Sequence, residues 1–294
     1  MSTYWPSSIN PPFNWCASNP KINVTYDISS IKFIDVTSNK SIIGVGANAS
    51  IQGRGLRLVG DNIIVRNIHF TELNRQYVWG GDGIFITRSD WIWIDHCKFS
   101  HIGRQLLVIA DTARGEGRIS ITNNDFDGMT DHSSTCNGYH YYSLYFTGVN
   151  YNITFSGNYI HTTSGRGPKV GEAGVPNDLF LHAVGNYWYD VSWHAFDTYM
   201  NSGLSLIEGN YFEKVGSPRL HDDNHEAFIP VNSASQCVPY LGRNCEANLF
   251  VNSGTVTGST SGRVNKLAGL KLAKPISAIF VKAAVLASAG VGKI

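Results

Sequence analysis

Short runs in which apolar and polar residues alternate recur along the chain, and helical periodicity is scarce before residue 265. Each run places β-branched or aromatic residues at every second position and ends on Asn or His followed by a large apolar residue. The runs cover residues 62–70, 91–99, 118–126, 152–160, 179–188 and 204–212. Because side chains alternate between the two faces of a strand, a period of two predicts β-strands rather than helices.

The large apolar position that closes each run returns at regular intervals. It falls at residues 70, 99, 126, 160, 188 and 212, which are separated by 29, 27, 34, 28 and 24 residues. A repeat of this length indicates a stacked architecture. Strands that repeat without intervening helices predict an all-β fold, a parallel β-helix whose coils rise by roughly 4.8 Å each.

Polar residues occupy equivalent bends in these runs and predict a ladder of stacked amides along the rod. The predicted members are Asn67, His96, Asn123 or Asn124, Asn158, Asn186 and Asn210. We interpret His96 as a hydrogen-bonded core residue rather than a catalytic one. In the run 91–94, Trp and Ile alternate, so one of the two pairs points inward.

Two departures from the repeat concern function and the end of the rod. The longest interval lies between residues 126 and 160, and loops added on one side of such a rod usually form its binding face. The Ala-, Leu- and Lys-rich C-terminal tail predicts a helix or packed arm that caps the rod.

The composition favours a large neutral partner. Only 15% of residues are charged, against roughly 25% in an ordinary soluble domain, and the net charge is +1. This balance argues against nucleic acid or membrane binding through bulk charge. The apolar tail at 275–290 is interrupted by Lys282 and is too short to span a bilayer. A sugar polymer suits such a surface.

The chain has five cysteines, an odd number, and a disulfide among them requires an oxidising compartment. Cys237 and Cys245 bracket a short loop that contains Pro and Gly, and we predict a local disulfide between them. Cys97 lies in an alternating run and is expected to be a buried thiol. A secreted character without a recognisable signal peptide leads us to expect that the front of the chain is missing.

Three polar clusters follow comparable strands. They are Trp79-Gly-Gly-Asp82-Gly, Ile102-Gly-Arg104-Gln105 and Ser164-Gly-Arg166-Gly-Pro-Lys169. Because successive coils of a β-helix repeat the same path, we expect these clusters to lie side by side on one face.

These clusters resemble the pectin lyases of polysaccharide lyase family 1. The similarity includes Trp93-Ile-Asp-His96, Thr135-Cys-Asn-Gly138, Gly165-Arg-Gly-Pro-Lys-Val170 and Leu181-His-Ala183 in the family's order, and it covers nearly the whole chain from about residue 10. The resemblance implies a right-handed parallel β-helix with a loop-built groove. It further implies a single domain over residues 1–294 that lacks the family's N-terminal leader and cap.

The resemblance also implies eliminative cleavage of methyl-esterified polygalacturonan, with Arg166 as the arginine that takes the C5 proton. A free guanidinium stays protonated at ordinary pH. Lys169 and a partly dry groove would favour its uncharged form. Alternatively, Arg166 acts mainly by stabilising an enolate-like intermediate. The sequence leaves both roles open.

The methyl ester bears on the need for a metal. Pectate lyases offset the substrate carboxylate with Ca²⁺ held by several acidic side chains. An ester has no such charge, so we expect no metal or other cofactor to be required. Here Asp82 is kept, Gly80 stands where pectate lyases carry a second acid, and Arg104 falls in the other calcium-ligand region. We predict an Asp82–Arg104 ion pair.

A neutral sugar is held by stacking and hydrogen bonds rather than by charge. The aromatic candidates for the groove are Trp15, Trp79, Tyr139, Tyr141 and Tyr142. The expected partner is pectin, bound by a secreted protein that acts as a monomer.

Three alternatives compete with this interpretation. The first is a calcium-dependent pectate lyase. The second is a β-helical glycosidase, which needs paired carboxylates; Asp222 and Asp223 are the only adjacent acidic pair. The third is a truncated, inactive β-helix that binds carbohydrate.

Overall fold

A computed structural model of the chain describes residues 23–134, 136–199, 201–220, 226–256 and 264–294. Nearly all regular structure in these ranges is short β-strand. The strands are β1 (Ile34–Val36), β2 (Lys40–Ile43), β3 (Ser50–Gln52), β4 (Leu56–Leu58), β5 (Ile63–Arg66), β6 (His69–Thr71), β7 (Ile84–Thr87), β8 (Ile92–Asp95), β9 (Lys98–Phe99), β10 (Leu107–Ala110), β11 (Arg118–Thr122), β12 (Asp125–Asp127), β13 (Leu144–Phe146), β14 (Gly148–Ser156), β15 (Tyr159–His161), β16 (Lys169–Val170), β17 (Asn177–Val184), β18 (Tyr187–Thr198), β19 (Gly203–Glu208), β20 (Tyr211–Leu220), β21 (Ala227–Phe228) and β22 (Leu249–Val251). The helices are α1 (Val238–Leu241) and α2 (Ala278–Ser288), with 3-10 turns at Ser235–Cys237 and Val264–Leu267.

Every third strand pairs in parallel through most of the rod, so each coil contributes one strand to each of three faces. The first face is β1, β4, β7, β10, β13 and β16; the second is β2, β5, β8, β11, β14, β17, β19 and β21; the third is β3, β6, β9, β12, β15, β18, β20 and β22. The predicted right-handed parallel β-helix is confirmed.

The edge between the third and first faces carries the loops that matter for function. In four successive coils, residues 72–83, 100–106, 128–143 and 162–168 bridge these faces. In the next coil the single strand β18 passes through the same edge, pairing with β15 at one end and β16 at the other. We call this side of the rod the loop edge. The longest of its loops, 128–143, lies in the interval that the sequence marked as the longest.

The core is a column of stacked rings inside the third face. The rings of Phe70, Phe99 and Phe126 follow one another at centroid distances of 5.2 and 5.0 Å. Further along the rod, Trp188 stacks on Phe212 at 4.8 Å. These are the positions at which the sequence repeat returned a large apolar residue. Truncating one such ring costs roughly 3–5 kcal/mol of stability.

The amide ladder is present, but its membership differs from the prediction. It consists of Asn124, Asn158, Asn186, Asn210 and Asn248. From Asn158 onward, each side-chain oxygen accepts from the backbone N–H and the side-chain amide of the preceding member, and Asn124 Oδ1 accepts from the Cys97 N–H. Asn67 and His96 were wrongly included. They lie one residue earlier in the coil, where the backbone has positive φ, and His96 Nδ1 instead contacts Asp95 at 2.6 Å.

The second face settles the orientation of the alternating Trp and Ile residues. Ile92 and Ile94 are buried, whereas the side chains of Trp91 and Trp93 lie on the outside, 59% and 37% exposed. Cys97 is a buried free thiol, as predicted.

The C-terminal helix covers the side of the rod rather than its end, which corrects the expected capping arm. Val281 and Val285 of α2 pack with Tyr187 on the third face. The chain then runs back along the rod, where Gly290 and Gly292 donate to Asn123 O and Asn67 Oδ1. Helix α2 thus shields the aromatic outer side of the third face from solvent. No helix in the described ranges is long and apolar enough to cross a membrane.

A disulfide joins Cys237 to Cys245, with a Cα–Cα distance of 5.5 Å. The loop that it closes brings Arg243 onto the fully buried carboxylate of Glu208, at 2.7 Å. His182 contacts the same carboxylate at 2.9 Å. The disulfide loop therefore supplies a charge partner to the interior of the rod.

Candidate active site

The three polar clusters of the sequence meet at the loop edge. Asp82 precedes β7, Arg104 precedes β10 and Arg166 precedes β16, which begins with Lys169. β7, β10, β13 and β16 are consecutive neighbours in the first face. Asp82 and Arg104 therefore lie on adjacent coils, and Arg166 and Lys169 share a coil two steps beyond Arg104, with roughly 4.8 Å between successive coils.

The turn that carries Arg166 is held by both neighbouring coils. Its backbone N–H donates to Nε2 of His194 at 3.3 Å, and its carbonyl accepts from Leu144 N–H at 2.7 Å. The N–H of Gly167 donates to Ala195 O at 2.8 Å. Arg166 has a φ of 51°, a left-handed conformation that is rare for a residue with a long side chain. The surrounding contacts therefore fix a conformation that the turn alone would not favour.

Gly165 makes this close approach possible. A Cβ atom at this position would lie 2.6 Å from the Tyr141 ring and 2.8 Å from the His194 ring. Contacts that short do not occur without movement of the neighbours. The turn is therefore wedged between one ring from the preceding coil and one from the next.

The Arg166 side chain lies over aromatic rings rather than on an acid. Its Cζ is 4.9 Å from the centroid of Tyr142 and 5.3 Å from that of Tyr141. Within the described ranges no carboxylate oxygen lies within 4.0 Å of its guanidinium, and the buried Nε has no hydrogen-bond partner. The guanidinium is therefore not paired with an acid of the described residues.

Lys169 is buried and has an acidic partner that the sequence interpretation missed. Its Nζ lies 2.5 Å from Glu172 Oε2 and 4.7 Å from the Tyr199 ring centroid. Burial opposes ionisation of Glu172, but the hydrogen bond and charge of Lys169 prevail and lower the pKa of this carboxyl; the charge of Arg166 acts in the same direction. The signal for Glu172 was its spacing of three residues from Lys169.

Asp82 and Arg104 do not form the predicted ion pair. Asp82 is buried, and its Oδ1 accepts from the backbone N–H of Gln105 at 2.9 Å. Burial raises the pKa of Asp82, although the positive charge of Arg104 acts against that rise. The Arg104 side chain is exposed. The prediction was wrong because the carboxyl turns toward the backbone of the next coil, where it braces the Arg104 turn.

Tyr142 lies between the two arginines. Burial raises the pKa of its hydroxyl, and the charges of Arg166 and Arg104 both oppose that rise. Its ring contacts Tyr141 edge to face at 5.2 Å. Tyr141 and Tyr142 thus join the Arg104 and Arg166 coils into one patch.

The other aromatic candidates lie in different surroundings. Trp79 stacks on Tyr77 at 4.7 Å and meets Tyr26 edge to face, forming a second aromatic cluster at the loop edge. Tyr139 donates its hydroxyl to Asp190 at 3.0 Å, which ties the long loop to the coil of β18. Trp15 lies outside the described residues.

Two residues of the patch were not predicted from the sequence. Trp193 is 51% exposed and stacks on Tyr141 at 6.1 Å, and His194 is buried beneath it. Both lie where the pairing of β18 with β20 shifts register between Val191 and His194. A break in alternation after the run at 179–188 was the only available signal.

The site combines positive groups with aromatic walls. Arg104, Arg166 and Lys169 surround a ring-lined surface, and the described residues include no group of three or more His, Cys, Asp or Glu side chains placed to hold a metal ion. Such a surface can stack sugar rings and stabilise negative charge on a substrate oxygen. The Asp222–Asp223 pair considered for a glycosidase lies outside the described residues.

Comparison with known proteins adds independent findings. A family model described as pectate lyase matches residues 16–294. A probable pectin lyase F of Aspergillus niger is 43% identical over 96% of this chain, which spans 58% of that relative's length. A probable pectin lyase A of Aspergillus fumigatus is 42% identical, with 96% of this chain and 74% of the relative covered.

Solved structures share the fold. A pectate lyase from Bacillus sp. N165 in complex with trigalacturonate has a TM-score of 0.61 and 22% identity, covering 88% of this chain and 76% of that one. A pectate lyase bound to a hexasaccharide has a TM-score of 0.57 at 19% identity, covering 89% and 69%. At these identities the likeness concerns the fold alone.

Proposed function

Because this chain belongs to the pectate lyase family, we propose that it is a pectin lyase that cleaves methyl-esterified 1,4-α-D-galacturonan by β-elimination. The chain spans less than two thirds of the Aspergillus niger relative. The proposal therefore rests on the geometry around Arg166 as well as on sequence similarity.

The observation that carries the proposal is the setting of Arg166. Its guanidinium lies on the rings of Tyr141 and Tyr142, within the described ranges no carboxylate reaches it, and its backbone is fixed by His194. An arginine paired to an acid would hold its donors in that pair. The Arg166 guanidinium is not held in such a pair with any described residue and lies on the ring-lined surface.

The proposed reaction removes a proton and breaks one C–O bond. Arg166, as the neutral guanidine, takes the proton from C5 of a galacturonate methyl ester. The C5 electron pair forms the C4–C5 double bond, the glycosidic oxygen leaves C4, and that oxygen takes a proton from water. The guanidinium thus formed faces the negative charge that develops on the ester carbonyl, where positioned donors are most effective.

The neighbouring charges fit an esterified substrate. Arg104 is exposed next to the Tyr142 ring and supplies fixed positive charge in the region where pectate lyases hold calcium. Glu172 offsets the charge of Lys169. Buried Asp82 braces the Arg104 turn through Gln105. We assign substrate stacking to Tyr141, Tyr142 and Trp193, with Trp79 and Tyr139 as outer contacts.

The cellular location is inferred from the substrate and from the disulfide. Pectin is an extracellular polymer, and a disulfide is stable in an oxidising compartment. We therefore assign the protein to the extracellular space, where it acts as a monomer.

The experiment is an assay on highly methyl-esterified pectin in excess chelator. We expect ultraviolet-absorbing unsaturated product to form at the same rate with and without chelator. Loss of product in chelator that calcium restores would indicate a calcium-dependent pectate lyase instead. Reducing ends without unsaturation would indicate a glycosidase, and binding without product would indicate an inactive β-helix.

A further inference from the structure

Two exposed tryptophans on the second face form a surface that the proposed reaction does not use. Trp91 precedes β8 and Trp93 lies within it, and their side chains project from the outside of the rod. The proposed active site lies at the loop edge, between the third and first faces. The two tryptophans therefore belong to a different side of the molecule.

The ring of Trp91 is fixed from one side. The guanidinium carbon of Arg118 lies 3.9 Å from its ring centroid. Asp90 holds both partners: its Oδ1 accepts from Trp91 N–H at 2.9 Å and from Arg118 N–H at 2.7 Å, and its carboxylate binds the Arg118 guanidinium. Trp91 itself has a φ of 58°, an outlier for so large a residue. The contacts thus hold an unfavoured conformation and leave much of the ring exposed.

Trp93 is fixed in a similar way around a second carboxylate. Its Nε1 donates to Thr122 Oγ1 at 2.8 Å, and the guanidinium carbon of Arg66 lies 5.7 Å from its ring centroid. The buried carboxylate of Asp95 accepts from Thr122 at 2.6 Å and from Arg66 at 2.8 Å. Each tryptophan therefore has a guanidinium beside it and a carboxylate that orders that guanidinium.

The surface continues as rows of polar side chains. In register with Trp93, the next two coils present Ser120 and Thr154; in register with Trp91, they present Arg118 and Asn152. Steps of roughly 4.8 Å separate the coils. Rings that are already ordered, followed by hydroxyl and amide groups, match a polymer with apolar sugar faces and many hydroxyls.

We propose that this surface is a second polysaccharide-binding site, which holds methyl-esterified galacturonan by stacking on Trp91 and Trp93. Arg118 is paired with Asp90 and Glu116, and Arg66 is paired with Asp95. The described residues of this surface therefore carry no unpaired positive charge, and the surface complements the uncharged, esterified polymer rather than polygalacturonate. The identity of the polymer rests on the proposed function. The site keeps the enzyme on its insoluble substrate while the groove cleaves it.

The experiment measures retention on insoluble, highly esterified pectin. The Arg166→Ala protein is compared with the same protein carrying Trp91→Ala and Trp93→Ala, both made without N-glycans because Asn152 lies in an Asn-Ile-Thr sequon within the surface. We expect binding to weaken roughly tenfold or more, since two ordered aromatic contacts are lost. The double substitution to Phe is expected to restore much of it, and Phe280→Ala, which removes a 65% exposed ring on α2, is the matched control and is expected to change nothing.

The following outcomes support or overturn the proposal. Unchanged retention of the double Ala variant would overturn the proposal, as would a wild-type dimer in sedimentation that the double variant abolishes, because the surface would then bind a second copy. In the active protein, the Trp91→Ala, Trp93→Ala variant is expected to cleave short soluble oligomers at the wild-type rate. If wild type forms no unsaturated product on any pectin, the proposed function fails, whereas normal product with unaltered retention is a failure of the second site alone.

Discussion

The backbone N–H of Arg166 donates a hydrogen bond of 3.3 Å to Nε2 of His194, a residue of the following coil. The acceptor must be an unprotonated ring nitrogen. His194 does not line the groove; it is buried under Trp193 and against Tyr141. We therefore regard it as a positioning residue that orients the arginine turn.

Replacing His194 tests this role. His194→Leu removes the acceptor, whereas His194→Gln offers an amide oxygen at similar reach. Because small displacements of a reacting group can cost about 100-fold, we expect kcat to fall by roughly 10- to 100-fold in the Leu variant with KM little changed. The Gln variant should recover much of that loss. Equal activity of the two variants in steady-state kinetics would refute a hydrogen-bonding role.

Gly165→Ala tests the wedge between the Tyr141 and His194 rings. The added Cβ would approach them to 2.6 and 2.8 Å, so the turn must shift. Overpacking of this kind costs about 1–3 kcal/mol, and we expect a lower melting temperature together with reduced kcat. Gly167→Ala is the matched control in the same turn, because its Cβ would meet nothing closer than 3.6 Å. If both variants behave alike, the rings do not confine the turn.

The buried Glu208 should make stability depend on acid. Burial opposes its ionisation, but the bonds from Arg243 and His182 lower its pKa to about 2, from an ordinary value of 4.5. A lowered pKa stabilises the fold above pH 4.5, and that stabilisation disappears as the pH falls toward about 2. The shift corresponds to about 3 kcal/mol.

Glu208→Gln should remove this part of the pH dependence. Chemical denaturation at a series of pH values should show the wild type losing stability below pH 4.5 more steeply than the variant. At pH 7 the variant should be less stable, since Arg243 loses a buried partner. Asp178→Asn, whose side chain is 64% exposed, is the control and should follow the wild type. Parallel curves for wild type and Glu208→Gln would contradict the assignment.

Features of the fold that depend on residues close together in the sequence were predicted, whereas features that depend on contacts between distant residues were not. The period-two runs predicted the strands, and the recurring Phe, Ile or Trp position predicted the column of stacked core rings. Both patterns can be recognised within short stretches of sequence. Asn158, Asn186 and Asn210 were predicted correctly as ladder residues, Asn123 and Asn124 could not be separated, and Asn67 and His96 were included wrongly because they lie one residue earlier in the coil. Only the backbone shows that Asn123 takes positive φ while Asn124 points inward.

The site shows the same limit. Arg104, Arg166 and Lys169 were found because they stand in recognisable motifs. Trp193 and His194 were missed because their roles depend on how β18 crosses the loop edge. The Asp82–Arg104 ion pair was predicted wrongly because the spacing of the coils shows which residues are neighbours but not the direction in which a carboxyl group points. The Asp82 carboxylate accepts a hydrogen bond from the Gln105 N–H instead.

The most direct test of the account compares Arg166→Ala with wild type on esterified pectin, measuring unsaturated product and, separately, binding. We predict a loss of turnover of roughly 1000-fold or more, since both proton transfer and charge stabilisation are removed. Binding should change little, because the aromatic walls remain. An Arg166→Ala protein that still forms unsaturated product at a rate near that of wild type would contradict the central claim.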